Sequence, residues 1–207
     1  SLLMLLPLAG AAIISALPKN NEKAAKQAAL GTTLVVMAVT IAMAVGFQRD
    51  NVELQFVEKY AWIPSFGINF ALGVDAIALV LILMSVILAP IVVLAGWDEA
   101  HGGRWSVKTF YILILVLETM MIGVFAATDL FLFYVIFEAM LIPVYFLIGG
   151  YGTGERAAAA VKFLLYSLFG GLLMLASIIA LYVMSGAQGG HTFDIDKLSQ
   201  LQMSSTT

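Results

Sequence analysis

Six long runs of apolar residues divide the chain, with polar and charged residues gathered between them. A hydrocarbon core of about 30 Å is crossed by about 20 mostly apolar residues in a helix, so each run predicts a membrane span. The runs lie near residues 2–17, 28–47, 74–96, 107–127, 129–149 and 158–185. This pattern predicts an all-α fold class, a polytopic transmembrane helix bundle formed by one membrane domain over residues 1–207.

The segment between the second and third runs, residues 48–73, has a different pattern. It contains VELQFVEKYAWIPSFGINFALG, in which aromatic and β-branched residues flank Pro64 and Gly67. Aromatic and β-branched residues favour strands, whereas proline and glycine favour turns. The segment therefore predicts a small extramembrane β-hairpin or an interfacial loop, with Tyr60 and Trp62 at the level of the lipid headgroups.

The fourth and fifth runs are separated only by the short stretch AATD. Thr128 or Asp129 can cap the helix that follows, and an acid suits the positive end of a helix. A tight antiparallel helical hairpin is expected here. Residues 186–207 are polar and predict an extramembrane connection or a surface helix.

The amino-acid composition supports the predicted membrane spans and argues against several other classes of protein. The chain is 62% hydrophobic and 11% charged, and its mean hydropathy is +1.01, values typical of polytopic membrane proteins. A net charge of −3 with scattered basic residues does not indicate nucleic-acid binding. Without cysteine, the chain forms no disulfide, iron–sulfur ligand set or thiolate zinc site of its own. Because the chain begins at Ser1 inside an apolar run and stops at Thr207 in a polar tail, we expect it to be a fragment.

The basic residues between the runs predict an orientation, because cytoplasmic loops are enriched in Lys and Arg. We expect the amino terminus, the turn at Thr128 and the segment after Gly186 to face outward. One side of the membrane would carry seven basic residues, Lys19, Lys23, Lys26, Arg104, Lys108, Arg156 and Lys162, and the other side would carry Arg49, Lys59 and Lys197.

Two carboxyl groups lie inside the predicted spans. Glu118 is ten residues before Thr128 and Glu138 is ten residues after it. A helical rise of 1.5 Å per residue places both at roughly 15 Å from the membrane surface, near its midplane. An acid at that depth costs about 2.5 to 3.5 kcal/mol even on lenient insertion scales, so both should face the bundle interior or internal water.

Helical spacing surrounds Glu138 with polar features. Tyr134 and Tyr145 share its face, where they can hydrogen-bond to it or to water. Pro143 removes an amide donor and leaves the backbone near Ala139 open. These residues predict a hydrated polar pocket. Lys162 lies about one turn inside the sixth run, so its ammonium can snorkel to the surface or reach inward.

Burial favours the neutral form of a carboxyl group and a nearby cation favours the charged form, so a moving lysine can switch the protonation of Glu138. Such a switch is what a proton relay requires. In the alternative interpretation, the acids are neutral or paired groups that hold helices together. His101 and His191 lie in separate predicted loops, so no metal site is expected.

The fifth run carries a family resemblance. TDLFLFYVIFEAMLIPVYFLIGGYG, preceded by LETMMIGVFAATD and followed by AAVKFLLYSLFGGLLML, resembles the antiporter-like proton-pumping subunits of respiratory complex I. The M type of bacterial NADH:quinone oxidoreductase, the counterpart of mitochondrial subunit 4, is the most similar. The E-A-M-L-I-P-x-Y-F-L-I core is specific, since L- and N-type subunits and cation/proton antiporters keep the glutamate but differ around it. LGVDAIAL at the third run also resembles this family.

The resemblance implies a bundle of about fourteen helices, of which this chain would supply the first six. It implies that Glu138 pairs with a lysine on a seventh helix beyond Thr207, that Glu118 is a second membrane glutamate, and that Lys162 is the sixth-helix lysine of a K-F-x-x-Y motif. The chain departs from many members by having Phe instead of Trp immediately before Glu138.

The implied function is proton translocation by a non-redox subunit in the bacterial cytoplasmic membrane. NADH, flavin, iron–sulfur clusters and quinone would bind to other subunits, and the partners would be other membrane subunits of complex I, including the L and N types, together with lipid. Two alternatives stay open: a subunit of a cation/proton antiporter or hydrogenase-related complex, and a structural membrane scaffold with inert acids.

Overall fold

The computed structural model describes residues 1–18, 21–48, 53–97, 103–187 and 190–201. The elements in these ranges are α1 (Leu2–Ala16), α2 (Glu22–Val45), β1 (Gln55–Ile63), β2 (Ile68–Val74), α3 (Ala76–Ala95), α4 (Val107–Ala126), α5 (Leu130–Tyr151), α6 (Arg156–Gly186) and α7 (Ile195–Ser199). Within them, α2 to α6 are five helices long and apolar enough to cross a membrane, and α1 is a shorter apolar helix of 15 residues. The predicted helical membrane fold with a small hairpin is confirmed.

The helix boundaries differ from the apolar runs mainly at α2. That helix begins at Glu22 instead of near residue 28, because the side chain of Asn21 caps it by accepting a hydrogen bond from the Ala24 amide at 3.2 Å. Hydropathy marks the part of a helix that suits lipid, whereas capping and backbone hydrogen bonds decide where the helix itself begins. The polar first turns of α2 therefore belong to the helix.

Helix α4 lies at the centre of the bundle and packs against α1, α2, α3 and α5 as well as β2. Helix α6 packs along α5, on the side away from that centre. The buried side chains of α1 to α5 and β2 form two clusters, one including Val36, Ile82, Val86 and Ile122 and the other including Ile14, Val93, Tyr111 and Leu115. Helices α1 to α5 place residues spaced three or four apart toward these clusters, which is the packing expected for helices in a bundle.

The segment after α2 forms the predicted hairpin. Strands β1 and β2 pair antiparallel, and the turn between them closes at Gly67, whose φ of +69° favours glycine. Tyr60 and Trp62 are 62% and 47% exposed, as expected for residues at an interface. The extramembrane hairpin predicted from the strand and turn residues is thus present.

The turn between α4 and α5 is tied to the hairpin and to the segment after α6. The amide of Thr128 donates to the carbonyl of Ala71 at 3.0 Å, and the carbonyl of Thr128 accepts from the Ile195 amide at 3.1 Å. The amide of Leu130, two residues after Thr128, donates to the Phe193 carbonyl at 2.8 Å. These bonds place β2, the turn between α4 and α5, and the segment 193–195 in one layer on one face of the bundle.

Candidate functional site

Glu138 lies in the middle of α5 and faces α6. Its Oε1 atom is buried and has no hydrogen-bond partner among the residues that the structure describes. The carboxyl group lies against Gly171 of α6, so close that a Cβ atom at that position would be 2.7 Å from the carboxyl carbon. The structure thus places a carboxyl oxygen without a protein partner at the contact between two membrane helices.

The two tyrosines predicted beside Glu138 have different surroundings. Tyr134 lies within electrostatic reach of the carboxyl group and packs at the edge of a cluster that contains Ile178. Tyr145 packs edge-on against Phe146, with ring centroids 5.4 Å apart. Neither hydroxyl group hydrogen-bonds to the buried oxygen of Glu138. Of the predicted neighbours, the structure brings only Tyr134 near the acid.

Pro143 lies inside α5, as its position in the fifth run predicts, and it is buried. A proline cannot donate to the carbonyl four residues before it, here that of Ala139. Helix α5 nevertheless continues from Leu130 to Tyr151. One carbonyl next to Glu138 therefore lacks its helical donor and remains available to a water molecule or a side chain.

Glu118 occupies a different environment. It is 3% exposed, and neither of its carboxyl oxygens has a hydrogen-bond partner in the described parts of the chain. It lines a cavity of about 340 Å³ between α3 and α4. The other lining residues are Ser85, Leu88, Ala89, Val92, Phe110, Ile114, Leu117, Met121 and Leu147. All of them except Ser85 are apolar, and the Ser85 hydroxyl donates to the carbonyl of Leu81 at 2.9 Å.

The structure does not bring the two glutamates together in one pocket. Glu138 is absent from the lining of the Glu118 cavity, and no hydrogen bond joins the two carboxyl groups. Counting residues from Thr128 compares only their depth along the helices. The direction of each side chain depends on how the helices are rotated about their axes, and here one faces α3 while the other faces α6.

Lys162 lies on α6, and its side chain is exposed. It forms no ion pair with the described residues. Nine residues separate it from Gly171, which corresponds to about 13.5 Å along the helix axis. That distance exceeds the reach of a lysine side chain, so Lys162 does not contact the Glu138 carboxyl group in this arrangement.

A second buried acid, Asp129, lies at the start of α5 and is fully paired. It is 1% exposed, and its Oδ1 atom accepts hydrogen bonds from the amides of Phe131 and Leu132 at 3.0 and 3.1 Å. Its Oδ2 atom accepts one from the amide of Asn69 in β2 at 3.0 Å. The predicted helix cap is confirmed, and the bond to Asn69 adds a tie to the hairpin that the sequence pattern does not reveal.

At the opposite face of the bundle, basic side chains bind carbonyl groups at the ends of helices. Lys108 donates to the carbonyl of Ser15 at 3.1 Å, at the end of α1. Lys26 donates to the carbonyl of Trp97 just after α3, and Arg156 donates to that of Gly152 at 3.4 Å, after α5. A cation at a helix carboxyl end is favourable, so these residues stabilise three helix ends as well as adding positive charge to that face.

Other predicted features carry no chemistry in the described residues. His191 stacks on Tyr182, with ring centroids 4.8 Å apart, and its Nδ1 atom is 3.0 Å from the Tyr182 carbonyl. No group of three metal-ligating side chains occurs within the described ranges. Lys19, Arg49 and His101, which the sequence assigned to loops, lie outside the described residues.

Comparison with known proteins finds several that are similar to this chain in sequence. A family model described as NADH:quinone oxidoreductase/Mrp antiporter, TM, matches residues 127–207. NADH-quinone oxidoreductase subunit M of Mycobacterium tuberculosis is 43% identical over 225 residues, which cover 96% of this chain and 41% of that protein. Subunit M of Rhodobacter capsulatus is 40% identical over 190 residues, covering 90% of this chain and 36% of the relative.

A solved structure shares the fold. A chain in respiratory complex I from Thermus thermophilus with bound NADH matches with a TM-score of 0.81 at 25% identity, over 99% of this chain and 40% of that chain. This chain thus spans about two fifths of the length of the relatives it matches. The resemblance indicated by the motif around Glu138 is confirmed.

Proposed function

We propose that this chain, a homologue of subunit M of bacterial NADH-quinone oxidoreductase, is part of an antiporter-like membrane subunit that translocates protons. The energy would come from NADH oxidation and quinone reduction in other subunits. The observation that carries the proposal is the buried, unpartnered Oε1 atom of Glu138 between two membrane helices. An ionisable group in that setting marks a functional position by default, because burying it is costly.

Glu138 would hold the transferred proton. Because burial favours its neutral form, the group releases a proton when a cation approaches and takes one up again when the cation withdraws. The family resemblance supplies a lysine on a seventh helix for this role. Tyr134 lies four residues before Glu138 on the same face of α5, so its hydroxyl group would relay a proton through water. The carbonyl of Ala139, which receives no amide donor from Pro143, would offer a site for such a water.

Glu118 and Lys162 would have secondary roles. Glu118 has a cavity of its own, which supports a second proton-holding position that does not exchange directly with Glu138. Lys162 lies nearer to the basic end of α6, which supports a role at the entrance of a proton path. Tyr145 packs within α5 and would act on the helix rather than on the proton.

The face that carries Lys26, Lys108 and Arg156 would be cytoplasmic, and the layer that contains Thr128 would face outward. Enrichment of Lys and Arg in cytoplasmic loops supports this orientation. We place the protein in the bacterial cytoplasmic membrane with its amino terminus outward. Its partners would be other membrane subunits of the complex, including L- and N-type relatives, and this chain would bind no NADH, flavin, iron–sulfur cluster or quinone.

The test is a Glu138→Gln substitution in the full-length protein, assembled in its complex in native membrane vesicles. Gln keeps the size and polarity of the side chain but cannot release a proton. We expect proton pumping per NADH oxidised to fall on the order of 100-fold or more, as for loss of a general acid or base, while the complex still assembles. Pumping at the wild-type ratio would disprove the proposed role.

A cation/proton antiporter is the second candidate, because the family model that matches residues 127–207 includes an Mrp antiporter. Vesicles that contain the full-length protein but no NADH dehydrogenase activity would distinguish the two functions. A sodium gradient that drives proton exchange in such vesicles, and that Glu138→Gln abolishes, would favour the antiporter. An inert scaffold predicts normal activity for a Glu118→Gln/Glu138→Gln double variant.

A further inference from the structure

The carboxyl group of Glu138 rests on the backbone of the neighbouring helix at a glycine. A Cβ atom added at Gly171 would overlap Oε1, and it would lie 2.7 Å from the carboxyl carbon and 3.4 Å from Oε2. Cβ atoms do not approach other heavy atoms within 3.0 Å. The carboxyl group can therefore hold this position only because residue 171 has no side chain.

Buried contacts on either side of Gly171 hold α6 against α5. The buried residues of α6 are Ala160, Gly171, Ile178 and Ser185, which are spaced by 11, 7 and 7 residues and thus lie on one face. Near one end of this stripe, Ala160 packs against Gly149 of α5, where an added Cβ atom would meet the Cβ of Ala160 at 3.4 Å. Buried contacts therefore flank Gly171 on both sides, and a side chain at 171 would displace the flexible glutamate rather than the helix.

We propose that Gly171 is a positioning residue for the proton-carrying group: its missing side chain sets where the Glu138 carboxyl lies between α5 and α6. The inference rests on the proposed function, since it concerns how Glu138 is placed to exchange its proton. Misplacement of a reacting group by 1 Å can cost about 100-fold in rate. A methyl group at position 171 forces the carboxyl group to move by a comparable amount.

The adjacent glycine supplies a matched control. A Cβ atom added at Gly170 would meet nothing within 4 Å in the described residues. Both glycines lie inside α6, so Gly→Ala raises the helix propensity by the same amount at either position. The two single variants therefore differ in whether the new methyl group meets Glu138.

The experiment compares Gly171→Ala with Gly170→Ala in the full-length protein, assembled in its complex in membrane vesicles. We expect Gly171→Ala to lower proton pumping per NADH oxidised by about tenfold or more, and Gly170→Ala to leave it unchanged. Equal pumping by the two variants, whether normal or reduced, would overturn the assignment. If Glu138→Gln itself pumps normally, the proposed function fails; if Glu138→Gln fails to pump but Gly171→Ala is normal, only the inference about Gly171 fails.

A spectroscopic readout separates positioning from a general packing defect. The infrared C=O stretch of protonated Glu138 can be assigned as the band that Glu138→Gln removes. We expect Gly171→Ala to shift this band, because it changes what surrounds the carboxyl group, whereas Gly170→Ala leaves it in place. An unshifted band in Gly171→Ala would overturn the inference.

If Gly171→Ala does not assemble, a second variant decides. Glu138→Asp removes one methylene and withdraws the carboxyl group by about one C–C bond, roughly 1.5 Å, which relieves the overlap with a methyl group at 171. We expect Gly171→Ala/Glu138→Asp to assemble. A double variant that also fails to assemble would show that Gly171 serves helix packing instead.

Discussion

The acids of the layer that contains Thr128 and the acids inside the helix bundle differ in how they are hydrogen-bonded. Asp129 and Glu118 are almost equally buried, at 1% and 3% exposure. Asp129 accepts three backbone hydrogen bonds, whereas both oxygens of Glu118 and the Oε1 atom of Glu138 have no partner in the described chain. Amide hydrogen bonds favour the charged form of a buried carboxyl group, whereas burial without partners favours its neutral form. Burial alone therefore does not distinguish these acids, but their hydrogen bonding does.

The sharpest test of this contrast is Asp129→Ala. The substitution removes the cap of α5, worth about 0.5 to 2 kcal/mol, and leaves the amide of Asn69 without its acceptor, at about 1 to 3 kcal/mol. We expect the free energy of unfolding of the reconstituted protein to fall by about 2 to 4 kcal/mol. Glu138→Gln should change it little, and equal destabilisation by both variants would contradict the distinction.

The separation of the two membrane glutamates can be tested by combining substitutions. Glu118→Gln alone should reduce proton pumping by about threefold, roughly 0.65 kcal/mol, less than Glu138→Gln does. Because the two carboxyl groups lie in different pockets, their effects in a double variant should add within about 0.5 kcal/mol. A much larger departure from additivity, measured in the same vesicles, would mean that the two groups share a proton path.

Asp75→Ala is the comparison that tests whether the hydrogen bond from the Asn69 amide to Asp129 adds stability, because Asp75 is also a helix cap. Asp75 caps α3 by accepting from the amide of Ala78 at 2.6 Å, and within the described ranges no bond to a distant strand accompanies it. Losing this cap should lower the free energy of unfolding by about 1 kcal/mol. If Asp75→Ala and Asp129→Ala destabilise equally, the link from Asp129 to the hairpin contributes nothing.

The smallest effect on stability is expected at the surface of the layer that contains Thr128, where Lys59 and Asp194 form an ion pair at 3.0 Å. Burial acts to raise the pKa of Asp194, but the hydrogen bond and charge of Lys59 outweigh it and hold the pKa below the ordinary 3.8. A lowered pKa stabilises the fold above pH 3.8, and this contribution is lost as the pH falls through the folded value.

Because both side chains are partly exposed, the pair is worth at most about 1 kcal/mol. Lys59→Met should remove that contribution at pH 7. It should also make the free energy of unfolding fall less steeply on the acid limb, where the pH is lowered through the pKa of Asp194. Unfolding measured against pH checks this expectation. An unchanged acid limb would show that the pair adds no stability.

The sequence alone determined the parts of the fold that depend on local chemistry. Apolar runs of membrane length predict the helices, the aromatic residues around Pro64 and Gly67 predict the hairpin, and Asp129 predicts a helix start. The motif around Glu138 also indicated the family. Each of these features depends on residues close together in the chain, where hydrophobicity, backbone geometry and capping act directly.

Tertiary structure alone decided what each side chain meets. Asp129 finds Asn69 sixty residues away, Glu118 faces a cavity against α3, and the carboxyl group of Glu138 fills the space beside Gly171. Residue spacing predicts the depth and the face of a helical residue, but not the rotation of that face toward a particular neighbour. That rotation follows from how whole helices pack, and it separates two glutamates that the sequence placed at equal depth.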